Sequence, residues 1–350
     1  YRVLVGQGIL SQLPHEMRLA GLKRRAFIVA DHVLFPKVAR AVQDTLETEN
    51  FPAHLLAIPS GESTKSLDTA QHIYQWLASQ RAERGDAIVA VGGGVTGDIV
   101  GFAAATWLRG VPIVQVPTTL AAMVDASLGG KVAVNLPAGK NLVGAFHQPW
   151  LVLSDIDFLE TLPQRELAAG WAEAIKHGLI LDKELLNIIE RNVESLLDLD
   201  GPLAVRVNRQ SVAIKADVVS ADEFETGDAR VLLNYGHTIG HAIEAVTGYR
   251  RFLHGEAVSV GMMGAAYIGH SLGLLAEDDV ERQSSLFESF GLPLSFGKLD
   301  TGKIDQAMLS DKKRSGKVIH WVLLDGIGNA VTRSDVPGDA VQEALTRLAR

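Results

Sequence analysis

Residues 87–108, AIVAVGGGVTGDIVGFAAATWL, decide the fold of this 350-residue chain. The apolar run Ala87–Val91 predicts a buried strand, the glycine turn Gly92–Asp98 follows it, and the apolar run Ile99–Leu108 predicts a helix. A glycine turn that opens a helix lets main-chain N–H groups face a pyrophosphate at close range. A plain tight turn explains the pattern equally well, because these glycines are not the usual G-x-G-x-x-G of a first strand.

The same alternation of apolar and amphipathic runs extends over the first 155 residues. It predicts further strands at Val3–Val5, Arg25–Ala30, Ala53–Ile58, Val111–Val116 and Leu151–Ser154. Strand–helix alternation is typical of helices packed on a mostly parallel sheet. We therefore predict an α/β protein whose N-terminal domain, residues 1–160, is Rossmann-like.

Polar residues follow the carboxyl ends of four predicted strands. They are Asp31, the loop Ser60–Lys65, the glycine turn Gly92–Asp98, and the pair Thr118 and Thr119. Such edges converge in a parallel sheet, so together they indicate a dinucleotide crevice in which Asp31 suits a ribose hydroxyl. Taken singly, Asp31 is equally well explained as a helix N-cap and each loop as ordinary turn chemistry.

The segment 125–141 carries two lysines among glycines. Its Pro and Gly residues exclude a long helix, and the alternation from Lys131 to Val134 predicts a short strand or hairpin. Lys131 and Lys140 are placed to hold an anion, and Asn141 to hydrogen-bond a hydroxyl or carboxylate. The competing interpretation is that both lysines are solvated surface residues.

From about residue 160 the pattern becomes mainly helical, which defines a second predicted domain, residues 161–350. Helices are predicted at Glu166–Ile180 and Arg206–Asp222, and one hairpin at Val318–Leu324. Arg230 is predicted on a loop before the histidine-rich stretch, where a guanidinium can clamp a carboxylate or phosphate.

Three of the chain's 11 histidines fall between residues 237 and 254. His237 and His241 lie four apart on one predicted helical face, and His254 follows after Gly248 has ended that helix. Imidazoles from separate elements indicate a metal site, and the ion's charge calls for a carboxylate, for which Glu173 on its apolar helix is the candidate. The alternative is that these histidines are hydrogen-bonded core residues.

Composition excludes several functions. The net charge of −8 and pI near 5.8 argue against nucleic-acid or membrane-surface binding. The absence of cysteine excludes disulfides, thiolate nucleophiles and Cys-ligated metals. The N-terminus has no signal pattern and the longest apolar stretch, Ile99–Leu108, is too short to span a bilayer, so we expect a cytoplasmic enzyme. Because the chain starts at Tyr1, we expect that leader residues precede it.

Seven motifs, in matching order over nearly the whole chain, resemble those of the 3-dehydroquinate synthase family. They are Gly92–Asp98, Val116–Thr119, Gly129–Lys131, Gly139–Gly144, Gly170–Gly178, Asn234–His241 and Leu253–Glu256. The resemblance implies an NAD- and metal-dependent carbon–oxygen lyase of the shikimate route to aromatic amino acids. Such an enzyme cyclises 3-deoxy-D-arabino-heptulosonate 7-phosphate to 3-dehydroquinate with loss of phosphate. The resemblance also implies that the protein is a homodimer with a sugar-phosphate substrate and with no nucleic-acid or membrane partner.

The resemblance further implies roles for particular residues. Zn²⁺, with Co²⁺ as an alternative, would be bound by Glu173, His237 and His254. NAD would be bound by Asp31, Ser60, Gly61, Glu62, Lys65, Gly93, Gly94, Val95, Thr96, Gly97, Asp98, Thr118, Thr119, Lys131, Lys140, Phe158, Leu159, Glu160 and Thr161. Substrate would be held or processed by Asp125, Lys131, Lys140, Asn141, Lys215, Arg230, His241 and Lys312, with Arg109 reaching in from a dimer partner.

Three other functions remain open at this stage. A related sugar-phosphate cyclase would accept a substrate without the carboxylate, and a metal-dependent polyol dehydrogenase would accumulate NADH. A non-catalytic protein responsive to NAD or metal is the third. The loop before Arg230 also departs from the family pattern, since Phe224 stands where an arginine is common and residues 226–229 are one residue longer.

Overall fold

The computed structural model describes residues 1–227, 229–315 and 319–350, and no side chain in 310–318 is described. The chain forms two compact units. The first comprises residues 1–162 and 201–212, and the second comprises residues 163–200 and 213–350.

The first unit is built on a six-stranded sheet whose hydrogen-bonded neighbours all run parallel, in the order β1-β8-β5-β4-β2-β3. The strands of this unit are β1 (Arg2–Gly6), β2 (Ala26–Asp31), β3 (Ala53–Ile58), β4 (Ala87–Gly92), β5 (Ile113–Pro117), β6 (Lys131–Leu136), β7 (Gly139–Phe146) and β8 (Leu151–Asp155). The prediction of a mostly parallel sheet is confirmed. The chain runs from β2 outward to β3 and then returns to β4 on the other side of β2, so the strand order switches between β2 and β4, the point where ligands bind in open α/β sheets.

Both faces of the sheet are covered, as all-parallel sheets require. The helices of this unit are α1 (Leu13–Leu19), α2 (Arg40–Thr48), α3 (Leu67–Ser79) and α4 (Gly94–Thr106). Side chains alternate along β2, so Ile28 packs in a core with α1 and α2, whereas Phe27 and Val29 pack in a second core with α3 and α4. Strands β6 and β7 form a separate antiparallel hairpin with an irregularity between Val134 and Leu136.

The second unit is mainly helical, as predicted. Its helices are α5 (Gln164–Leu181), α6 (Lys183–Arg191), α7 (Val193–Leu197), α8 (Gly201–Ala221, of which residues 201–212 belong to the first unit), α9 (His237–Val246), α10 (His254–Ser271), α11 (Glu277–Ser289), α12 (Thr301–Ser315) and α13 (Gly338–Leu348). Helix α10 is buried along nearly its whole length and packs against α5, α9, α11 and α13. It is therefore the central helix of this unit.

One hairpin lies in the second unit, but the predicted extent was wrong. Strand β9 (Trp321–Leu324) pairs with β10 (Ala330–Arg333), so the partner strand follows residue 324 rather than lying within 318–324. Residue 318 lies outside the described residues. Among the residues that are described, no helix is both long enough and apolar enough to cross a membrane.

Candidate functional site

The strand register aligns the four predicted polar edges of the first unit. Asp31 at the end of β2 is level with Ile58 of β3, and Gly92 of β4 is level with Pro117 of β5. Ala30 and Val91 are also partners, which places the ends of β2 and β4 side by side across the switch point. The loops that follow these strands therefore leave the sheet at one edge.

Asp31 is held by contacts within this edge. Its carboxylate accepts a hydrogen bond from the Val33 N–H at 2.8 Å and another from the Ser60 hydroxyl. Asp31 thus closes a turn at the end of β2, and its side chain remains partly exposed to solvent. An exposed acceptor in this position suits a sugar hydroxyl.

The glycine turn is closely packed. A Cβ at Gly92 would lie 2.6 Å from the Thr96 side chain, and one at Gly97 would lie 3.0 Å from Gln115 Oε1. Helix α4 begins at Gly94, five residues before the predicted start at Ile99, because the turn itself supplies the first helical residues. No described side chain caps this N-terminus, so its first N–H groups are available for an anion such as a pyrophosphate.

Charged pairs connect the loops of this edge. The ammonium of Lys65, which is buried, pairs with the Asp98 carboxylate, and Lys140 Nζ lies 3.1 Å from Glu62 Oε1. Asn135 Nδ2 donates to the same Glu62 oxygen at 2.8 Å. The sequence predicted Lys140 as an anion-binding group, and the family resemblance implied Lys65 as an NAD contact. Neither anticipated the carboxylate partners of these lysines or the contact from Asn135.

The remaining predicted residues of the first unit lie in the β6–β7 hairpin and in short helical turns. Asn141 has a φ of 55° and donates its N–H to Asn135 Oδ1, and Arg109 is exposed with a φ of 71°. Asp125 lies in the short turn Ala122–Ala126, and Phe158, Leu159, Glu160 and Thr161 lie in the 3-10 segment Ile156–Thr161. Lys131 begins β6 with an exposed side chain.

In the second unit, the structure brings Glu173, His237 and His254 together from α5, α9 and α10. Glu173 Oε1 lies 3.8 Å from His237 Nε2 and 3.5 Å from His254 Nε2. One donor atom from each residue lies within 4.8 Å of the others. One carboxylate and two imidazoles are a common protein donor set for Zn²⁺ with an open coordination position.

The two oxygens of the Glu173 carboxylate have different surroundings. Glu173 is 1 % exposed, its Oε2 accepts a hydrogen bond from the equally buried Lys176 ammonium, and its Oε1 has no hydrogen-bond partner among the described residues. A buried carboxylate oxygen without a partner costs free energy unless a cation satisfies it. The donor cluster therefore fits a divalent cation.

The protonation states fit the same interpretation. Burial raises the pKa of Glu173, but Lys176, His254 and His237 outweigh it and hold that pKa well below its ordinary value. Burial, reinforced by Lys176, lowers the pKa of His237 well below its ordinary value, which leaves a neutral imidazole. Partial burial lowers the pKa of His254, but the neighbouring carboxylates of Glu173 and Glu244 outweigh it and raise this pKa to about 10. A cation at His254 Nε2 therefore replaces a proton.

Glycines allow the three helices to approach closely enough to assemble the cluster. A Cβ at Gly255, next to His254, would lie 1.8 Å from the Ala169 carbonyl oxygen of α5. A Cβ at Gly261 would lie 2.0 Å from the Gly236 carbonyl oxygen at the start of α9. Larger side chains at these positions would move α10 away from Glu173 and His237.

We expect Gly255→Ala to destabilise the fold by roughly 1–3 kcal/mol, because the added methyl forces a backbone shift between α10 and α5. The affinity of Gly255→Ala for Zn²⁺ should fall together with its stability. The matched control is Gly269→Ala on the same helix, where the nearest atom to a Cβ is 3.5 Å away. This control should be neutral or stabilising by about 0.5–1 kcal/mol. Urea denaturation measures both, and equal stabilities of the two variants would contradict the packing argument.

Other predicted residues surround the cluster or lie on nearby elements. The His241 and His237 rings are 5.2 Å apart in an edge-to-face arrangement, and Lys215 on α8 is buried. The loop prediction for Arg230 was wrong, since it begins a 3-10 helix, Arg230–Asn234, and is buried with its guanidinium donating to the Glu223 carbonyl. The side chain of Lys312 lies outside the described residues.

The sequence reasoning missed Glu244 at this site. Its Oε2 lies 3.3 Å from His254 Nδ1, and its side chain is 7 % exposed. It follows His237 and His241 at the seventh and third positions along α9, so the helical period itself places all three on one face. That spacing was the signal available in the sequence.

Comparisons with known proteins agree with this fold and site. Residues 55–169 match the family model of the 3-dehydroquinate synthase N-terminal region, and residues 170–314 match that of the C-terminal region. The chain is 44% identical to the 3-dehydroquinate synthase of Symbiobacterium thermophilum over 353 residues, which cover 100% of this chain and 98% of that one.

Two solved structures are similar over 99% of this chain and 96% of theirs, each at 30% identity. One is the 2-epi-5-epi-valiolone synthase of Streptomyces hygroscopicus subsp. jinggangensis 5008 with NAD⁺ and Zn²⁺ bound, at a TM-score of 0.91. The other is a 2-deoxy-scyllo-inosose synthase complexed with carbaglucose-6-phosphate, NAD⁺ and Co²⁺, at a TM-score of 0.88.

The parallel-sheet unit and the carboxylate–imidazole cluster, with these relatives, define an enzyme of the sugar-phosphate cyclase class. Within that class, both family models and the full-length identity are specific. The chain belongs to the 3-dehydroquinate synthase family.

Proposed function

We propose that this chain converts 3-deoxy-D-arabino-heptulosonate 7-phosphate to 3-dehydroquinate and phosphate, with a divalent cation held by Glu173, His237 and His254. The observation that carries the proposal is the buried Glu173 Oε1, which has no hydrogen-bond partner among the described residues and lies within 3.8 Å of both imidazole Nε2 atoms. Zn²⁺ or Co²⁺ in the similar cyclases supports the choice of ion. A dication held by these residues would make a secondary alcohol of the substrate more acidic.

The first unit is proposed to bind NAD at the carboxyl edge of its sheet. Asp31, with Ser60, accepts hydrogen bonds from a ribose, and the uncapped start of α4 at Gly94 binds the pyrophosphate. Further proposed contacts are Gly61, Glu62, Lys65, Gly93, Val95, Thr96, Gly97, Asp98, Thr118, Thr119, Lys131, Lys140, Phe158, Leu159, Glu160 and Thr161. NAD held there would supply a reversible hydride acceptor and would be unchanged over the cycle.

The chain's own residues around the cluster support the proton and charge movements. Lys176 holds Glu173 Oε2 and so directs Oε1 to the cation, while the Tyr235 carbonyl accepts from His237 Nδ1 at 3.1 Å and leaves Nε2 for ligation. His241, beside His237, is proposed to relay protons.

Substrate anions need cations and donors to hold them. We propose that Lys215 and Arg230 in the second unit bind anionic groups of the substrate. Lys131, Lys140 and Asn141 in the first unit are proposed separately as groups that bind a phosphate, a carboxylate or hydroxyls. Holding one conformer also favours the intramolecular ring closure, which is a proximity effect. Asp125, Lys312 and Arg109 complete the proposed set, with Arg109 contributed by the other subunit of a homodimer. We also propose that the protein is located in the cytoplasm.

The reaction itself tests the function. Purified protein is incubated with NAD and the heptulosonate phosphate, and phosphate release and absorbance at the NADH wavelength are followed together. We expect phosphate release without NADH accumulation, complete loss of release after chelation, and recovery on adding Zn²⁺ or Co²⁺. Glucose 6-phosphate, which lacks the carboxylate, serves as the control substrate and should release none.

Each alternative gives a different result in that experiment. Steady NADH accumulation would indicate a dehydrogenase, and phosphate release from glucose 6-phosphate would indicate a different cyclase. Phosphate release that survives full chelation would contradict the proposed role of the cation.

A further inference from the structure

The two histidines of the metal cluster are oriented by different groups. His237 Nδ1 lies 3.1 Å from the Tyr235 carbonyl oxygen, which is part of the backbone and is fixed by the fold. His254 Nδ1 lies 3.3 Å from Glu244 Oε2, which belongs to a side chain. A carbonyl or an ionised carboxylate can only accept, so in each ring Nδ1 carries the proton and Nε2 is left for the cation.

His254 needs such a partner more than His237 does. It is the first residue of α10, and its side chain is 41% exposed, against 11% for His237. Packing therefore restrains its ring less. A ligand whose ring can rotate binds a cation more weakly, because the ordering entropy is lost on binding.

We propose that Glu244 is a positioning residue that holds His254 with Nε2 toward the cation by accepting the Nδ1 hydrogen bond. The inference rests on the proposed metal site and adds a fourth residue to it. The packing of the second unit brings Glu244 to His254, because α9 carries His237 and Glu244 on one face and packs directly against α10.

Charge gives a second reason for a carboxylate at this position. Lys176 already pairs with Glu173, so the Glu173–Lys176 pair brings no net negative charge to a dication. Glu244 is buried and supplies an additional negative charge through His254. The ionised carboxylate also makes the imidazole a stronger donor to the cation.

A different arrangement of the same residues is possible in geometric terms. His241, Glu244 and His254 also have donor atoms within 4.8 Å of one another and could hold a second cation. The positioning role is favoured because Glu244 faces the Nδ1 side of His254, whose Nε2 is directed to Glu173. The two roles predict different metal contents, one cation per chain against two.

The test compares Glu244→Leu, which removes the acceptor and the charge, with Glu244→Gln, which keeps an acceptor oxygen. Glu16→Gln is the matched control, since Glu16 is also buried and ion-paired but lies in the first unit. Zn²⁺ dissociation constants are measured by competition with a chromophoric chelator, metal content by elemental analysis, and the Co²⁺ absorption spectrum reports ligand geometry. Circular dichroism of the metal-free proteins checks folding.

We expect Glu244→Leu to weaken Zn²⁺ binding by about 10- to 100-fold and to change the Co²⁺ spectrum. Glu244→Gln should show a smaller loss, and Glu16→Gln none. Excess Zn²⁺ should restore phosphate release by Glu244→Leu, which a general packing defect would not allow. If Glu244→Leu does not fold, the loss of affinity and the spectrum of Glu244→Gln decide.

Three results are distinguishable from this expectation. Zn²⁺ affinities within twofold of the unmodified protein for both Glu244 variants would overturn the positioning role. Two cations per chain, reduced to one by Glu244→Leu, would replace it with a second metal site. Failure of the unmodified protein to bind Zn²⁺ would instead refute the proposed function on which it rests.

Discussion

Glu173→Gln is expected to reduce kcat/KM for phosphate release by about 1000-fold or more. The amide has nearly the same shape but no charge, so the cation loses the one anionic donor that it contacts directly among the three proposed ligands. A cation that stabilises developing charge contributes several kcal/mol, and about 4 kcal/mol corresponds to 1000-fold in rate. Zn²⁺ affinity, measured separately by chelator competition, should fall as well.

The control for this variant is Glu166→Gln, the same chemical change on the same helix at an exposed position. It should retain phosphate release and Zn²⁺ affinity. Retention of more than a tenth of the original kcat/KM by Glu173→Gln, at a Zn²⁺ concentration limiting for the unmodified protein, would rule out Glu173 as an essential ligand.

Lys176→Met is expected to destabilise the metal-free protein by about 3–5 kcal/mol. Glu173 and Lys176 are each 1% exposed, and removal of one partner leaves an uncompensated charge in the interior. A bound dication supplies that compensation, so added Zn²⁺ should stabilise Lys176→Met by more than it stabilises the unmodified protein. Urea denaturation with and without a chelator measures both effects.

Lys303→Met is the matched control, since Lys303 is an exposed lysine on another helix of the same unit. Its stability should change by less than about 0.5 kcal/mol. A Zn²⁺ stabilisation of Lys176→Met no greater than that of the unmodified protein would show that the ammonium and the cation do not share the Glu173 carboxylate.

The fold was predictable because its signals are local. The run Ala87–Val91 and the glycine turn after it are adjacent in sequence, and the sheet they imply is present with its polar edges aligned. The start of α4 was placed too late because glycines were taken as outside the helix, whereas Gly94 is its first residue.

The site was predictable where spacing carried the information. His237 and His241 lie on one helical face, and the isolated carboxylate of Glu173 on an apolar helix indicated a partner. Contacts between residues that are far apart in the sequence were not predictable. The Lys140–Glu62 contact joins the start of β7 to the segment after β3 and depends on the fold as a whole.

The path of the chain has a consequence for dissecting the protein. Residues 201–212 belong to the compact unit of the sheet, and Val212 packs there with Val5, Leu128 and Val152, although the residues on both sides belong to the helical unit. A fragment cut after residue 162 would lack this stretch and would expose the apolar surface that it covers. Neither half is therefore a continuous piece of sequence that can be exchanged between homologues by a single crossover.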